Sequence, residues 1–343
     1  MMLAATASAD PRPAPKTPLA ALQAAPQFVD VQSSPQFTFL ANQIAQAVTS
    51  PKFTVEDSFN PSVDGPTVLM SPKTIGAGKF ILGVGADTTK VDFQARQNLV
   101  LGKGDDLVVQ QLSYHVGLRQ SIFFLIGTYG ISEDFDATLL MPFVWTHARL
   151  DMSRGSTSAD FEDGVSAQGD LSLRLKYYLE YNTSLGLTFL FPTGNPAKLS
   201  GTGDYWLALN AATMLPLGER FQLTGNVGVN FNMTSVVESE ITYGIGLGIV
   251  MIPGRLGSAI EITGHSQLDD QSTISDTGVL TTDGIQPLFG LDFGRKNTVS
   301  LAVTFRVPLG YGLLALVGAI IPLTHPDFSP EAATPILGVG GTW

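Results

Sequence analysis

Phe221-Gln222-Leu223-Thr224-Gly225-Asn226-Val227-Gly228-Val229-Asn230-Phe231-Asn232-Met233 alternates between two kinds of side chain. Phe221, Leu223, Val227, Val229, Phe231 and Met233 are apolar, whereas Gln222, Thr224, Asn226, Gly228, Asn230 and Asn232 are polar or small. Successive side chains of a β-strand point to opposite faces, so this strand has one greasy side and one polar side. The period recurs with charge in Asp170 to Glu180. Leu171, Leu173, Leu175, Tyr177 and Leu179 stand against Asp170, Ser172, Arg174, Lys176 and Glu180. Val299 to Val307 alternates with Thr298, Ser300, Ala302, Thr304 and Arg306, and Ile241 to Met251 sets large apolars against Thr242, Gly244, Gly246 and Gly248.

A soluble sandwich also alternates, but its polar face meets bulk water and favours Lys, Glu and Thr. Here the second face carries Gly, Ala, Asn and Thr, as an enclosed lumen would. The apolar face runs for ten residues or more, near the roughly 9–11 tilted residues that cross a bilayer. Trp145, Tyr205, Trp206, Tyr243, Tyr311 and Trp343 fall near strand ends, where interfacial girdles belong. The expected fold is all-β, a transmembrane antiparallel up-and-down β-barrel.

Composition agrees. Charged residues are only 14% of the 343, against about 25% in a typical soluble chain. A membrane helix needs about 18 or more apolar residues in a row. The longest candidate, Tyr311 to Leu323, is 13 residues and is interrupted by Gly312, Gly318 and Pro322. A net charge of −11 argues against nucleic acid as a partner. It suits a lipopolysaccharide-bearing outer membrane of a Gram-negative-type cell. With no Cys there are no disulfides, thiolate metal sites or Cys nucleophiles.

Three regions follow. Residues 1–9 look like the end of a signal peptide, with Ala7-Ser8-Ala9 as an A-x-A cleavage site before Asp10. Residues 10–72 carry Pro at 11, 13, 15, 18, 26, 35, 51, 61, 66 and 72, which excludes a continuous ladder or long helix. This N-terminal arm is either a plug or a periplasmic segment, and Phe37, Leu40, Ile44 and Val48 would share one face of a short helix within it. Residues 73–343 form the barrel. Ser132–Asp134, Tyr181-Asn182, Leu217–Glu219, Pro253–Arg255 and Arg295–Asn297 are tight turns. Gln94–Asp106, Ser153–Ala167, Gly194–Gly203 and Asp269–Asp283 are longer and polar. The expected strands are 75–92, 107–131, 135–152, 166–180, 183–193, 204–216, 220–233, 238–252, 256–268, 284–294, 297–308 and 335–343, twelve in all. Residues 311–323 read as a strand without a place in that count; they extend the preceding strand or belong to a fourteen-stranded barrel.

No catalytic constellation emerges, so the chain is expected not to be an enzyme and to use no cofactor or metal. The four His (115, 147, 265, 325) have no metal-ligand spacing. His147 is in register with lipid-facing Trp145, and His265 with Glu261, as a structural pair across one pleat. Gly201-Thr202-Gly203 and Gly244-Ile245-Gly246-Leu247-Gly248 are not phosphate loops, because no helix N-terminus follows either. An Arg or Lys on the lipid face at mid-membrane would cost about 2–4 kcal/mol, so the barrel charges are expected to point inward. The expected channel-lining residues are Asp136, Asp170, Arg174, Lys176, Glu180, Asn226, Asn230, Glu261, His265, Asp292 and Arg306. They either tune the passage of a solute or pair with one another. Twelve to fourteen strands lie between a filled eight-stranded barrel and an open pore of about 16 strands.

Gly169-Asp170-Leu171-Ser172-Leu173 with Lys176-Tyr177 resembles a strand of outer-membrane proteins related to the transporter of the phenol meta-cleavage pathway. Phe191-Pro192-Thr193-Gly194-Asn195 with Gly201-Thr202-Gly203-Asp204, and Tyr129-Gly130-Ile131-Ser132 with Met141-Pro142, are similar to other signatures of that family. The resemblance covers roughly residues 75 to 343 and implies an outer-membrane channel for small, often aromatic or hydrophobic molecules. The leading expectation is therefore passive uptake of a small organic solute. A structural or adhesive barrel that binds a partner through its loops is the alternative, and a membrane-embedded hydrolase a third. Expected partners are membrane lipid, lipopolysaccharide, the solute and the outer-membrane assembly machinery. The last would read Leu337, Val339 and Trp343 on one face of the final strand. Oligomeric state stays open.

Overall fold

A bilayer offers no water to unpaired main-chain groups, so strands that cross it must close on themselves. They do. The structure is a computed structural model that describes residues 66–101, 108–154, 157–195, 200–234, 239–268, 297–324 and 333–343. Its strands are β1 (Phe80–Leu101), β2 (Val108–Gly130), β3 (Phe135–Arg154), β4 (Thr157–Gln168), β5 (Leu171–Tyr178), β6 (Thr183–Phe191) and β7 (Trp206–Pro216). They continue as β8 (Phe221–Asn232), β9 (Glu240–Ile252), β10 (Leu256–Gln267), β11 (Asn297–Gly310), β12 (Leu313–Pro322) and β13 (Thr334–Thr342). Each stave pairs antiparallel with its neighbours, and β1 pairs with both β2 and β13, which seals the ring. Phe80 and Trp343 exchange both main-chain hydrogen bonds at that seam, at 2.8 and 2.9 Å.

Twelve staves close the barrel, and β4 is a thirteenth strand that continues the line of β5. β3 pairs with β5 through Leu140↔Ser172 and with β4 from Phe143↔Gln168. Between those points Met141 and Pro142 face Gly169, Asp170 and Leu171, so the wall carries a one-residue bulge. Pro142 has no N–H to lose there.

Burial is inverted relative to a soluble sheet, and the inversion identifies the two faces. On β8, Val227 is 56% exposed while Asn230 and Asn232 are 3% and 1% exposed. On β5, Ser172, Arg174 and Lys176 are buried between half-buried or exposed Leu171, Leu173, Leu175 and Tyr177. Apolar side chains therefore face lipid and polar ones face the lumen. Trp145, Tyr205, Tyr243, Tyr311 and Trp343 are exposed, as a girdle requires, but Trp206 is buried and points inward.

Tyr311 to Leu323 is a stave in its own right. β12 pairs with β11 and β13, after a turn in which Tyr311 and Gly312 are both left-handed. The sequence hides this turn because Leu309 to Leu313 has no polar residue. The expected strand 284–294, the tight turn at Arg295–Asn297 (apart from Asn297, which opens β11), residues 1–65 and Asp292 lie outside the described residues. Two expected long loops are strand instead: β1 runs to Leu101, and β4 begins at Thr157. Beyond Asp87, β1 pairs among the described residues with β2 alone, so these strands rise above the ring. With no lipid to select an apolar face, the alternation that marks the staves disappears there.

The described short turns, 131–134, 179–182, 217–220, 253–255 and 311–312, all lie at one end, and the longer connections lie at the other. In outer-membrane barrels the short-turn end is periplasmic. Val227 sits mid-strand on the lipid face, so Val227→Arg is expected to destabilise the barrel by about 2–4 kcal/mol. The measurement is the urea midpoint for folding into lipid vesicles.

Candidate functional site

The lumen is occupied by the chain itself. From Pro66 to Gly76 the segment before β1 lies inside the barrel, with Thr67 to Pro72, Ile75 and Gly76 all buried. Its main chain is gripped by side chains from the wall. Glu261, fully buried on β10, accepts from three consecutive amides. Thr67 N donates to Oε1 and Oε2 at 3.0 and 3.1 Å, Val68 N to Oε2 at 3.0 Å, and Leu69 N to Oε1 at 3.2 Å. Successive amides that converge in this way form a nest for an anion. Bonds to a charged acceptor contribute about 1.5–3 kcal/mol each, and they offset the cost of burying the carboxylate.

Further anchors continue around the wall. Arg306 Nη2 on β11 donates to Pro66 O and to Thr67 Oγ1, and Thr67 Oγ1 also meets Thr304 Oγ1 at 2.7 Å. Asn226 on β8 accepts from Met70 N at 2.9 Å and donates to Met70 O at 3.1 Å, the pairing a neighbouring strand would offer. Lys176 Nζ on β5 donates to Lys73 O at 2.8 Å and pairs with Asp136 on β3 at 3.6 Å. Thr74 Oγ1 donates to Glu133 O in the β2–β3 turn. The segment thus crosses from β10 and β11, past β8, to β5 and β3 before it enters β1.

Glycines make room for it. A Cβ on Gly246 would lie 3.1 Å from Leu69 Cδ1, one on Gly186 would lie 2.7 Å from Met70 Sδ, and one on Gly244 would overlap Leu69 Cδ2. The Gly-x-Gly-x-Gly of β9 is a close-packed strand, and the partner it admits is Leu69. Apolar contacts finish the seat. Val68 joins a cluster with Ala302, Leu316 and Ile336, and Ile75 joins Ile81, Phe124, Ile126 and Leu140.

Of the expected channel-lining residues, Asp136, Lys176, Asn226, Glu261 and Arg306 come together around this segment. Arg174 is buried on the same face of β5 as Lys176. Asn230 donates to Glu240 Oε1 at 3.2 Å. His265 does not pair with Glu261. It faces Glu240 on β9 at 3.7 Å, because four residues along an extended strand separate it from Glu261 by roughly 13 Å. Glu180 stands in the β5–β6 turn, exposed, where alternation ends. His147 is exposed on the outer face. Thr304, Gln120 and Gln222 are buried polar residues that the sequence reading left out of the lining, although Thr304 and Gln222 already lay on its polar faces.

Asp170 serves a loop. Its Oδ1 accepts from Gly194 N at 2.8 Å, and its Oδ2 accepts from Thr202 N at 2.6 Å and Thr202 Oγ1 at 2.9 Å. Thr193 Oγ1 donates to Gly169 O and accepts from Leu171 N, both at 2.9 Å. The short Gly-rich motifs of the sequence therefore converge on one junction, where the β6–β7 connection is stapled to the bulge between β4 and β5. Among the described residues no group of three or more His, Asp or Glu is placed to hold a metal ion.

A closed ring with a lipid-facing apolar belt and a polar interior defines a transmembrane β-barrel of the outer-membrane type. The family described as "Putative MetA-pathway of phenol degradation" matches residues 80–312, and the chain belongs to that family. No curated protein sequence matches it. Among solved structures, the chain is similar to the COG4313 outer membrane channel from Pseudomonas putida F1. Identity is 19%, the match covers 79% of this chain and 97% of that one, and the TM-score is 0.48. It is also similar to the Ralstonia pickettii toluene transporter TbuX, at 8% identity over 78% of this chain and 88% of that one, with a TM-score of 0.39. A Pseudomonas aeruginosa FadL homologue matches at 7% identity over 78% and 90%, with a TM-score of 0.36.

Two outcomes follow from these anchors. Glu261→Ala is expected to speed hydrogen exchange at the amides of Thr67, Val68 and Leu69 by at least about tenfold, the loss of roughly 1.4 kcal/mol or more of local protection. Asp170→Ala removes the acceptor of three donors. On gels of unboiled protein, its folded band is expected to convert to the unfolded one at a lower temperature than in wild type.

Proposed function

We propose that the protein is a passive outer-membrane channel for a small organic solute, aromatic or otherwise hydrophobic, and that residues 66–76 are its plug. The observation that carries this reading is the seated segment itself. An interior that admits an extended chain bearing Val68, Leu69 and Met70 has the width for a small organic molecule. Its seat on the wall is held by hydrogen bonds and small apolar clusters, so the segment can leave it while staying tethered to β1.

The interior is also mixed in character. Arg174, Lys176, Asn226, Asn230, Glu261 and Arg306 lie along β5 to β11. Ile81, Phe124, Ile126, Leu140, Leu316 and Ile336 form apolar patches along β12, β13 and β1 to β3, beside the buried Asp87, Gln120, Thr128, Asp136 and Thr138. A wholly polar pore would favour ions and sugars; a wall with apolar patches among polar groups suits a ring or short hydrocarbon with a polar group. The family's connection with phenol degradation points the same way. Passage along such a wall needs no covalent step and no cofactor. Lipid and lipopolysaccharide surround the apolar belt, and the assembly machinery would read the last strand, where Leu337, Val339 and Trp343 are exposed on the outer face.

The test is conductance in planar bilayers together with liposome swelling. Wild type is expected to conduct weakly, and a chain that lacks residues 10–72 to conduct at least about tenfold more. A folded barrel that conducts in neither form would overturn the channel reading.

A further inference from the structure

The wall beneath Val68 has a defined shape. In register across β11, β12 and β13, Thr304 faces Gly318 and Gly318 faces Ile336; Ala302 faces Ile320 on one side and Arg306 faces Leu316 on the other. Gly318 is therefore the floor of a bowl whose sides are Ala302, Ile320, Ile336 and Leu316, with Thr304 beside the floor on β11. A Cβ there would lie 2.5 Å from both Thr304 Cγ2 and Val303 O, so glycine lets the Thr304 methyl lie across the floor while its Oγ1 meets Thr67 Oγ1 at 2.7 Å. Two charges stand at its edge. Arg306 is on the same face of β11, and Glu261 is opposite Ala302 on β10. Both are at least 99% buried, and neither holds the segment through a side chain specific to it, save the Arg306–Thr67 bond.

What fills the bowl now is a short branched hydrocarbon, Val68, joined to an oxygen on Arg306, Pro66 O, and to N–H donors on Glu261. We infer that this bowl is a solute subsite and that residues 66–68 occupy it as an internal stand-in. Its external ligand is a small apolar body, a single ring or a short branched chain, that carries an anionic or hydrogen-bond-accepting oxygen for Arg306. The proposal rests on the channel reading and deepens it by naming the place and chemistry of solute contact. Pro66, Thr67 and Val68 together vacate more space than one benzene ring needs. Solute and segment are mutually exclusive there, so the plug competes with the cargo instead of merely blocking it.

The test uses full-length protein in planar bilayers. Val68→Asp places a carboxylate in the bowl beside Glu261, which the Val68 amide contacts at 3.0 Å, and so expels the segment while every wall residue stays unchanged; the unboiled gel shift verifies that the barrel is folded. It is expected to raise conductance at least about tenfold. Benzoate, at constant ionic strength, is then expected to block that current saturably, whereas acetate, which has the charge without the body, leaves it unchanged. Adding Arg306→Gln to Val68→Asp is expected to weaken the benzoate block at least about tenfold. The unboiled gel shift verifies that this double variant is folded. If the double variant does not fold, Ile336→Ser with Val68→Asp, which removes the apolar side of the bowl, is expected to weaken the block to a similar degree. If Val68→Asp stays closed, the plug and the channel reading built on it fail. An open channel on which benzoate and acetate act alike overturns the subsite alone. So does a block that survives Arg306→Gln.

Discussion

One carboxylate organises the interior. Glu261 is buried in the wall of a membrane barrel, where an uncompensated charge would cost several kcal/mol, and its compensation comes from the chain's own amides. That arrangement binds two parts of the molecule to each other. The wall needs the segment to satisfy Glu261, and the segment needs Glu261 to leave water. The glycines at 186, 244 and 246, the Asn226 amide and the Arg306 guanidinium are placed so that the chain can reach that carboxylate. Remove the segment, and Glu261 must find Arg306 or water instead.

The barrel was largely legible in the sequence because lipid imposes a strict test on every second residue. Phe221 to Met233 passes that test, and its face assignment holds at each described position. The reading failed where lipid is absent. Residues 94–101 and 157–166 are strand without alternation, and the Tyr311-Gly312 turn is a turn without polarity. Inward charge was equally legible, since Asp136, Lys176, Glu261 and Arg306 all point to the lumen. Their partners were not. The Glu261–His265 pairing followed from spacing along one strand, but the real partner lies more than 190 residues away. It is main chain, which leaves no trace in residue type. Only the crowd of glycines on β9 signalled that something approached.

Loop and wall share a second device of the same kind. Asp170 at the β4–β5 break collects amides from Gly194 and Thr202 much as Glu261 collects those of residues 67–69. In both places a carboxylate of the wall captures a piece of irregular chain. One is at the break where β3 changes partners, and the other is within the ring. The sheet provides rigid positions, and the carboxylates decide which loose segments are fixed to it.

The segment is held largely by its backbone: the Pro66 carbonyl, the amides of residues 67–69, both groups of Met70 and the Lys73 carbonyl, with the Thr67 and Thr74 hydroxyls beside them. Such a grip is indifferent to most side chains. The other residues between Pro66 and Gly76 are therefore free to diverge, provided that hydroxyls stay at positions 67 and 74, aliphatic groups at 68 and 75, and nothing outgrows the glycine hollows. A barrel of this design is also a chassis. Unrelated peptides of matching length, grafted ahead of β1, would inherit the same berth, and the selectivity of the pore would become a property that can be exchanged by the cassette.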